Sequence, residues 1–441
     1  MQLNLLVVFA DEMGSHTMGC SGDPNVHTPN MDRMAREGSR LSRAYSNTPV
    51  CTPARGTILT GLYPPHHRAM INDIPVCTDV PTLAGSLGAA GYRRGYIGKW
   101  HLGGIPRYRF IPPGPERLGF DDFWASWNCH HDYMEPKYFL NDDPEPVFPK
   151  GYEPTVQTGL ALDFLSEHQI HHADRPFCLF MSWGPPHDPY EPWPPDSEGS
   201  YDPDALTLRP NCEDTPKNRK DLAGHYAHIS ALDRELGRIL DYLEETGLRE
   251  NTLVVFTSDH GSMLGSQGSY NKQQPWVESV GIPFILWGPE WASTSDNGTL
   301  FSLLDFAPTV LGLGDVPVPS EMQGMNLAPQ LRDREPAKER SILCAEHTCV
   351  DQAGRRGIPP WRGVITDRYT YARSPDGPWL LYDDVADPYQ MRNRVHDEDM
   401  KPVRDRLDLE LCAQLTRFGD SVMTTGEALD HYGVRNACTE L

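Results

Sequence analysis

Residues suited to hold a cation and an anion recur in this chain just beyond short apolar runs. Asp11 and Glu12 follow Leu3–Ala10, Lys99 and His101 follow Tyr92–Gly98, His187 follows Phe177–Trp183, and Asp259 and His260 follow Thr252–Thr257. Carboxylates offer oxygen ligands to a hard divalent cation, while a local group of lysine, arginine and histidine can hold an anion. Between the first two groups stands Cys51-Thr52-Pro53-Ala54-Arg55, and Lys272 lies thirteen residues beyond Asp259. Taken singly, an acidic residue at a strand end reads as a turn or helix-cap residue. A cysteine beside a proline reads as a buried thiol. Their recurrence at one kind of place is what makes them a candidate site.

The elements that must position these residues alternate. Strand-like runs at Leu3–Phe9, Tyr92–Gly98, Phe177–Trp183, Thr252–Thr257 and Pro283–Trp287 are interleaved with helical patterns near Asn30–Glu37, Val156–His168 and Gly224–Thr246. Alternation of this kind predicts an α/β fold, a large mostly parallel sheet sandwiched by helices. Ligands bind beyond the carboxyl ends of strands in such folds, and Asp11, Lys99, His187 and Asp259 stand at or just past those ends. Lys99 and His101 are expected to alternate along an extended segment and so to face one cleft. The Pro-rich stretch Trp193–Pro216 reads as a surface loop or lid. Beyond it, Ser341–Ala345, Gly363–Asp367, Tyr369–Arg373 and Trp379–Tyr382 read as closely connected strands, and Met400–Phe418 as a final helix. The expected organisation is a catalytic domain over residues 1–335 and a small C-terminal α+β domain over 336–441.

Composition bounds the function. The 441 residues carry a formal net charge of −22, which excludes the basic footprint that a nucleic-acid or anionic-membrane surface needs. An anionic substrate in a locally cationic cleft is compatible with that charge, because distant charges are screened within about 10 Å at physiological salt. No apolar run approaches the roughly 20 residues that span a bilayer. The apolar start is short, lacks a basic leader and reads as a buried strand, so the chain as written is expected in the cytoplasm, or in the periplasm or outside the cell if a leader has been removed. The ten cysteines are scattered without zinc-type pairs, and nine read as reduced thiols.

Cys51-x-Pro53-x-Arg55 followed by Leu59-Thr60-Gly61, together with Gly98-Lys99-Trp100-His101-Leu102-Gly103, resembles the signature of type I sulfatases of the alkaline phosphatase superfamily. The resemblance spans nearly the whole chain, from Gly19-Cys20-Ser21-Gly22 to Asp387-Pro388-Tyr389. It implies that a maturation enzyme oxidises Cys51 to formylglycine. The hydrated aldehyde attacks sulfur with one hydroxyl and expels sulfate through the other. It also implies one Ca²⁺ per chain held by Asp11, Glu12, residue 51, Asp259 and His260. Arg55 would neutralise charge at residue 51, Lys99 would bridge it to the sulfate, His101 would orient and deprotonate a diol hydroxyl, His187 would face the ester oxygen, and Lys272 would bind sulfate. Two positions depart from the pattern: Glu12 stands where the family has Asp, and Leu62 where many members have Arg.

The expected reaction is hydrolysis of a sulfate ester, most plausibly on a carbohydrate. Phosphonate monoester or phosphodiester hydrolases of the same superfamily share C-x-P-x-R, but Lys99 and His101 favour sulfate. A non-catalytic binding protein retaining the fold would have no need of so many cationic groups. For a sugar subsite, residue chemistry points to the segment Trp124–Tyr133, and within it to His130, His131 and Asp132, because aromatic faces and fixed polar groups suit saccharides.

Overall fold

The computed structural model describes residues 2–435 except 198, 293–297, 334, 336 and 351. Every residue of the first strand, β1 (Asn4–Asp11), is buried, as a strand covered on both faces must be. Its side chains alternate between two cores. Leu5, Val7 and Phe9 pack with the helices Cys51–Thr60 and Phe306–Leu313, whereas Leu6, Val8 and Ala10 pack with the helices Glu153–His171 and Pro216–Glu245. A two-residue side-chain period therefore builds a sheet with a helical layer on each side.

The remaining strands of the first part are β2 (Ser39–Arg40), β3 (Ala44–Tyr45), β4 (Arg93–Lys99), β5 (Phe123–Trp127), β6 (Tyr138–Leu140), β7 (Pro146–Val147), β8 (Phe177–Pro186), β9 (Thr252–Ser258), β10 (Phe284–Trp287) and β11 (Phe301–Ser302). Eight of them join β1 in one nine-stranded sheet in the order β2-β10-β9-β1-β8-β4-β5-β6-β7. The central run from β9 to β5 is parallel, while β10, β2, β6 and β7 add antiparallel flanks. The carboxyl ends of β1, β4, β8 and β9 thus lie side by side. The segment Trp124–Tyr133, proposed from its composition as a sugar subsite, begins within β5, and Trp124 packs 5.0 Å from Trp100 in an aromatic core.

The long helix Pro216–Glu245 starts before the expected Gly224, because Pro216 suits the first turn and Thr215 caps it, accepting the Asn218 backbone N–H at 3.1 Å. The C-terminal part is an antiparallel sheet of β12 (Ile342–Glu346), β13 (Trp361–Ile365), β14 (Tyr369–Ser374) and β15 (Gly377–Asp383). Leu407, Leu411 and Leu415, spaced by one helical turn on Lys401–Phe418, pack against Val364, Tyr371 and Leu381 of that sheet. Tyr63 and Leu304 from the first part enter the same core. A buried bidentate pair adds to it: Arg362 Nε and Nη2 donate to Asp420 at 2.6 and 3.0 Å. We propose that the two parts are separate domains meeting near residue 335; the neighbouring residue 336 lies outside the described residues.

Gly98 illustrates how closely the strands approach at the site end. Its φ of +100° lies in the region that favours glycine, and a Cβ there would stand 2.1 Å from the Ser182 carbonyl oxygen. Gly98→Ala is expected to destabilise the protein by about 2–3 kcal/mol, read as a lower thermal midpoint. An unchanged midpoint would contradict this account of the β4–β8 contact.

Candidate active site

The four neighbouring strand ends deliver their polar residues into one buried cluster. Asp11 closes β1 after a register shift between Phe9 and Asp11, and Asp259 and His260 follow β9 directly. Cys51 is the first residue of the helix Cys51–Thr60, where the positive end of the helix favours an anionic side chain. Its sulfur lies 3.2 Å from His260 Nε2 and 3.5 Å from Asp11 Oδ1. Ligand atoms of Asp11, Cys51, Asp259 and His260 all fall within 4.8 Å of one another, and all four residues are buried.

These four residues fit a divalent cation. His260 Nδ1 lies 3.0 Å from the Gly261 carbonyl, which fixes the proton on Nδ1 and presents the Nε2 lone pair to the cluster. Burial and the neighbouring Asp11 charge push the Asp259 pKa up to about 6. A divalent ion between the two carboxylates replaces that repulsion with ligation. Burial alone would raise the Cys51 thiol pKa, but Lys272, Lys99, His260 and His101 outweigh it and hold that pKa well below the ordinary value. The Cys51 sulfur is therefore favoured as a thiolate.

Glu12 does not join this group. It adopts a left-handed φ of 64°, and its carboxylate accepts from Ser262 Oγ at 2.9 Å and from Lys272 Nζ at 2.6 Å. It groups instead with His187 and Asp188. The left-handed turn and the longer side chain carry the carboxylate past the four-residue cluster toward Lys272.

The cationic residues surround residue 51. Arg55, one turn along the helix from Cys51, donates to Asp259 Oδ2 at 3.0 Å, to the Lys99 carbonyl at 2.9 Å and to Ser182 Oγ at 2.8 Å. Its fork thereby ties the helix Cys51–Thr60 to β4, β8 and the four-residue cluster. Lys99 Nζ is ion-paired with Asp11. The segment after it is not extended as the sequence suggests: β4 ends at Lys99 and His101 has a left-handed φ of 57°. His101 still acts on Cys51, and its Nε2 lies 3.2 Å from Asp73 Oδ1.

His187 is held by Asp188, whose Oδ1 lies 2.8 Å from Nδ1, while Nε2 is 3.1 Å from Glu12 Oε2 and 2.6 Å from Lys272 Nζ. Lys272 Nζ and His187 Nε2 thus converge on the same oxygen, Glu12 Oε2, which offsets the charge of both. Burial and Lys272 oppose charge on the imidazole, but Glu12, Asp11 and Asp188 outweigh them and hold its pKa well above the ordinary value.

The three expected sugar-contact residues separate. His131 stacks on His187 with ring centroids 4.3 Å apart, and burial followed by the charges of His187, Lys99 and Lys272 keeps it neutral. His130 turns to the buried Glu153, 3.1 Å away. Asp132 is exposed, and its backbone N–H donates to His130 Nδ1 at 3.3 Å. Sequence reasoning missed Asp73, which bonds both Arg107 and His101, and with it Arg107. Neither follows an apolar run nor belongs to a patterned motif, so only spacing in three dimensions marks them.

This chain is similar to known proteins over nearly its whole length. The family model for sulfatases matches residues 3–316, and that for the N-sulphoglucosamine sulphohydrolase C-terminal region matches residues 265–417. An ulvan-active sulfatase of Formosa agariphila is 34% identical over 438 residues, covering 97% of this chain and 84% of that protein. An endo-4-O-sulfatase of Bacteroides thetaiotaomicron is 31% identical, covering 95% of this chain and 92% of that protein. A solved structure titled for the metabolism of multiple glycosaminoglycans by Bacteroides thetaiotaomicron superposes with a TM-score of 0.86 at 29% identity, covering 98% of this chain and 99% of that one. With the strand-end cluster and the C-x-P-x-R helix in place, these similarities establish that the chain belongs to the sulfatase family and is a sulfuric ester hydrolase of alkaline-phosphatase-like fold.

Proposed function

We propose that this enzyme hydrolyses a sulfate ester on a saccharide, using residue 51 as its nucleophile after oxidation to formylglycine by a maturation enzyme. The observation that carries the proposal is the meeting of Cys51 with two carboxylates and an imidazole on one side and Lys99, Lys272 and His187 on the other. The saccharide is supported by the similar proteins, whose names and titles specify ulvan and glycosaminoglycans.

Formylglycine, when formed, supplies a hydrated aldehyde whose two hydroxyls attack sulfur and later release sulfate. Asp11, residue 51, Asp259 and His260 would hold a calcium ion, which supplies Lewis-acid stabilisation of the sulfuryl oxygens. The chain's own residues do the rest. Lys99 and Lys272 place fixed positive charge against the sulfate, where charge grows in the transition state. Arg55 locks the nucleophile helix against Asp259. His101, backed by Asp73, is the base that accepts a hydroxyl proton from residue 51. His187, backed by Asp188 and held in its charged form, protonates the departing sugar oxygen. His131 is the member of its segment that would lie beside the sugar, since it stacks on His187.

The test is a turnover screen of the matured enzyme on sulfated mono- and oligosaccharides, an aryl sulfate and a phosphonate monoester. Sulfate release from a saccharide is expected; turnover of the phosphonate alone would overturn the reading. The acid role of His187 has its own signature. His187→Ala should reduce hydrolysis of an alkyl or sugar sulfate by about 10²–10⁴-fold and that of a nitrophenyl sulfate far less, because nitrophenolate leaves without a proton. Equal losses on both substrates would leave His187 a sulfate-binding role only.

A further inference from the structure

A cavity of about 530 Å³ adjoins the cluster, and the residues described above leave it without a role. Three of its lining residues tie it to the reacting centre. Val50 precedes Cys51, Gln273 follows Lys272, and Asp73 bonds His101. The volume lies in the range that holds a drug-sized ligand and exceeds what a sulfate group requires.

Two arginines, Arg107 and Arg355, line this cavity in a chain whose formal net charge is −22. Asp73 is the one acidic residue among the lining residues, and its charge is already matched. Arg107 Nε donates to it at 2.8 Å, Arg107 Nη2 pairs with its other oxygen at 2.5 Å, and His101 Nε2 lies 3.2 Å away. Arg107 is nonetheless 45% exposed in its side chain, and its Nη1 has no hydrogen-bond partner among the described residues. A guanidinium held by a carboxylate on one edge and open on the other is set to bind a planar or tetrahedral oxyanion.

We propose that this cavity is a subsite for a second anionic group, a carboxylate or a further sulfate, carried by the same saccharide whose ester is cleaved at residue 51. The proposal rests on the saccharide-sulfatase reading above and adds that the substrate is a polyanion read by Arg107 and Arg355.

Binding tests it without requiring turnover. Full-length protein made without the maturation enzyme keeps Cys51 and is titrated by calorimetry with three saccharides of one linkage: singly sulfated and otherwise neutral, singly sulfated with a uronate, and doubly sulfated. At least one acidic saccharide should bind about tenfold or more tightly than the neutral one, the uronate and disulfate arms distinguishing the source of the charge. Arg355→Ala and Arg107→Gln should each bring that ratio toward one, and Arg107→Lys should restore part of it. Arg355→Ala leaves the Asp73–His101 pair in place, so a general disturbance of the centre does not explain its effect. Equal binding of all three saccharides, or an unchanged ratio in both variants, would overturn the subsite. Selective binding together with no sulfate release by matured enzyme would instead overturn the hydrolase reading and leave the subsite standing.

Discussion

Cys51→Ala protein, produced alongside the maturation enzyme, is expected to release no measurable sulfate, a loss of at least about 10⁴-fold relative to matured wild type. Alanine removes the attacking oxygen and also the route by which sulfate is expelled, so neither half of the reaction survives. No neighbouring group can substitute. His260 Nε2 lies 3.2 Å from the Cys51 sulfur but is an imidazole with no hydroxyl to offer, and Lys99 and Lys272 are paired to Asp11 and Glu12. Wild-type protein retaining an unoxidised Cys51 should be equally silent, even though the surrounding cations hold its thiol well below the ordinary pKa. A thiolate bonded to sulfur has no second hydroxyl through which to collapse. Intact mass separates oxidised from unoxidised protein, and the activity of a preparation should follow its oxidised fraction. Sulfate release by the alanine variant near the wild-type rate would remove residue 51 from the mechanism.

Asp11→Asn and Asp259→Asn are each expected to lose the bound divalent ion and nearly all activity. The apparent affinity should fall by more than about 100-fold, beyond the effect of removing an outer-shell partner. A neutral amide preserves shape but removes the anionic charge that offsets the cation. The two variants differ in a second respect. Asp11 also pairs with Lys99, and Asp259 also holds Arg55 at 3.0 Å, so Asp259→Asn should loosen the Cys51–Thr60 helix as well. Metal analysis of purified protein reads the first effect, and thermal unfolding with and without added Ca²⁺ reads both. Wild type should gain stability on adding Ca²⁺, and the variants should gain little. Glu12→Asp provides the contrast. The Glu12 carboxylate serves Lys272, Ser262 and His187, so shortening it should leave ion stoichiometry near one and weaken the hold on Lys272. Full stoichiometric metal in both Asn variants would place the ion elsewhere.

Much of this enzyme is legible in its sequence because the relevant physics is local. Near-continuous apolar runs in Leu3–Phe9 and Thr252–Thr257 specify strands buried on both faces, and the polar residue that ends each run emerges at the sheet's carboxyl edge. Asp11, Lys99, His187 and Asp259 could therefore be assigned to one edge without coordinates. C-x-P-x-R is legible as a motif through its resemblance, while the structure adds that it opens a helix, on which Arg55 stands one turn from Cys51. The tertiary structure decided what depends on loops and on the partners they meet. A left-handed φ at Glu12 swings its carboxylate away from Asp11 and Asp259, and another at His101 ends the expected alternation after Lys99. His130 and His131 are adjacent in sequence, yet one reaches the buried Glu153 and the other stacks on His187. Asp73 and Arg107, thirty-four residues apart, acquire their relation only when two loops close over the centre. Periodic patterns encode which face of an element is buried. Loop dihedrals have no such period, and they are set by contacts between residues distant in the chain.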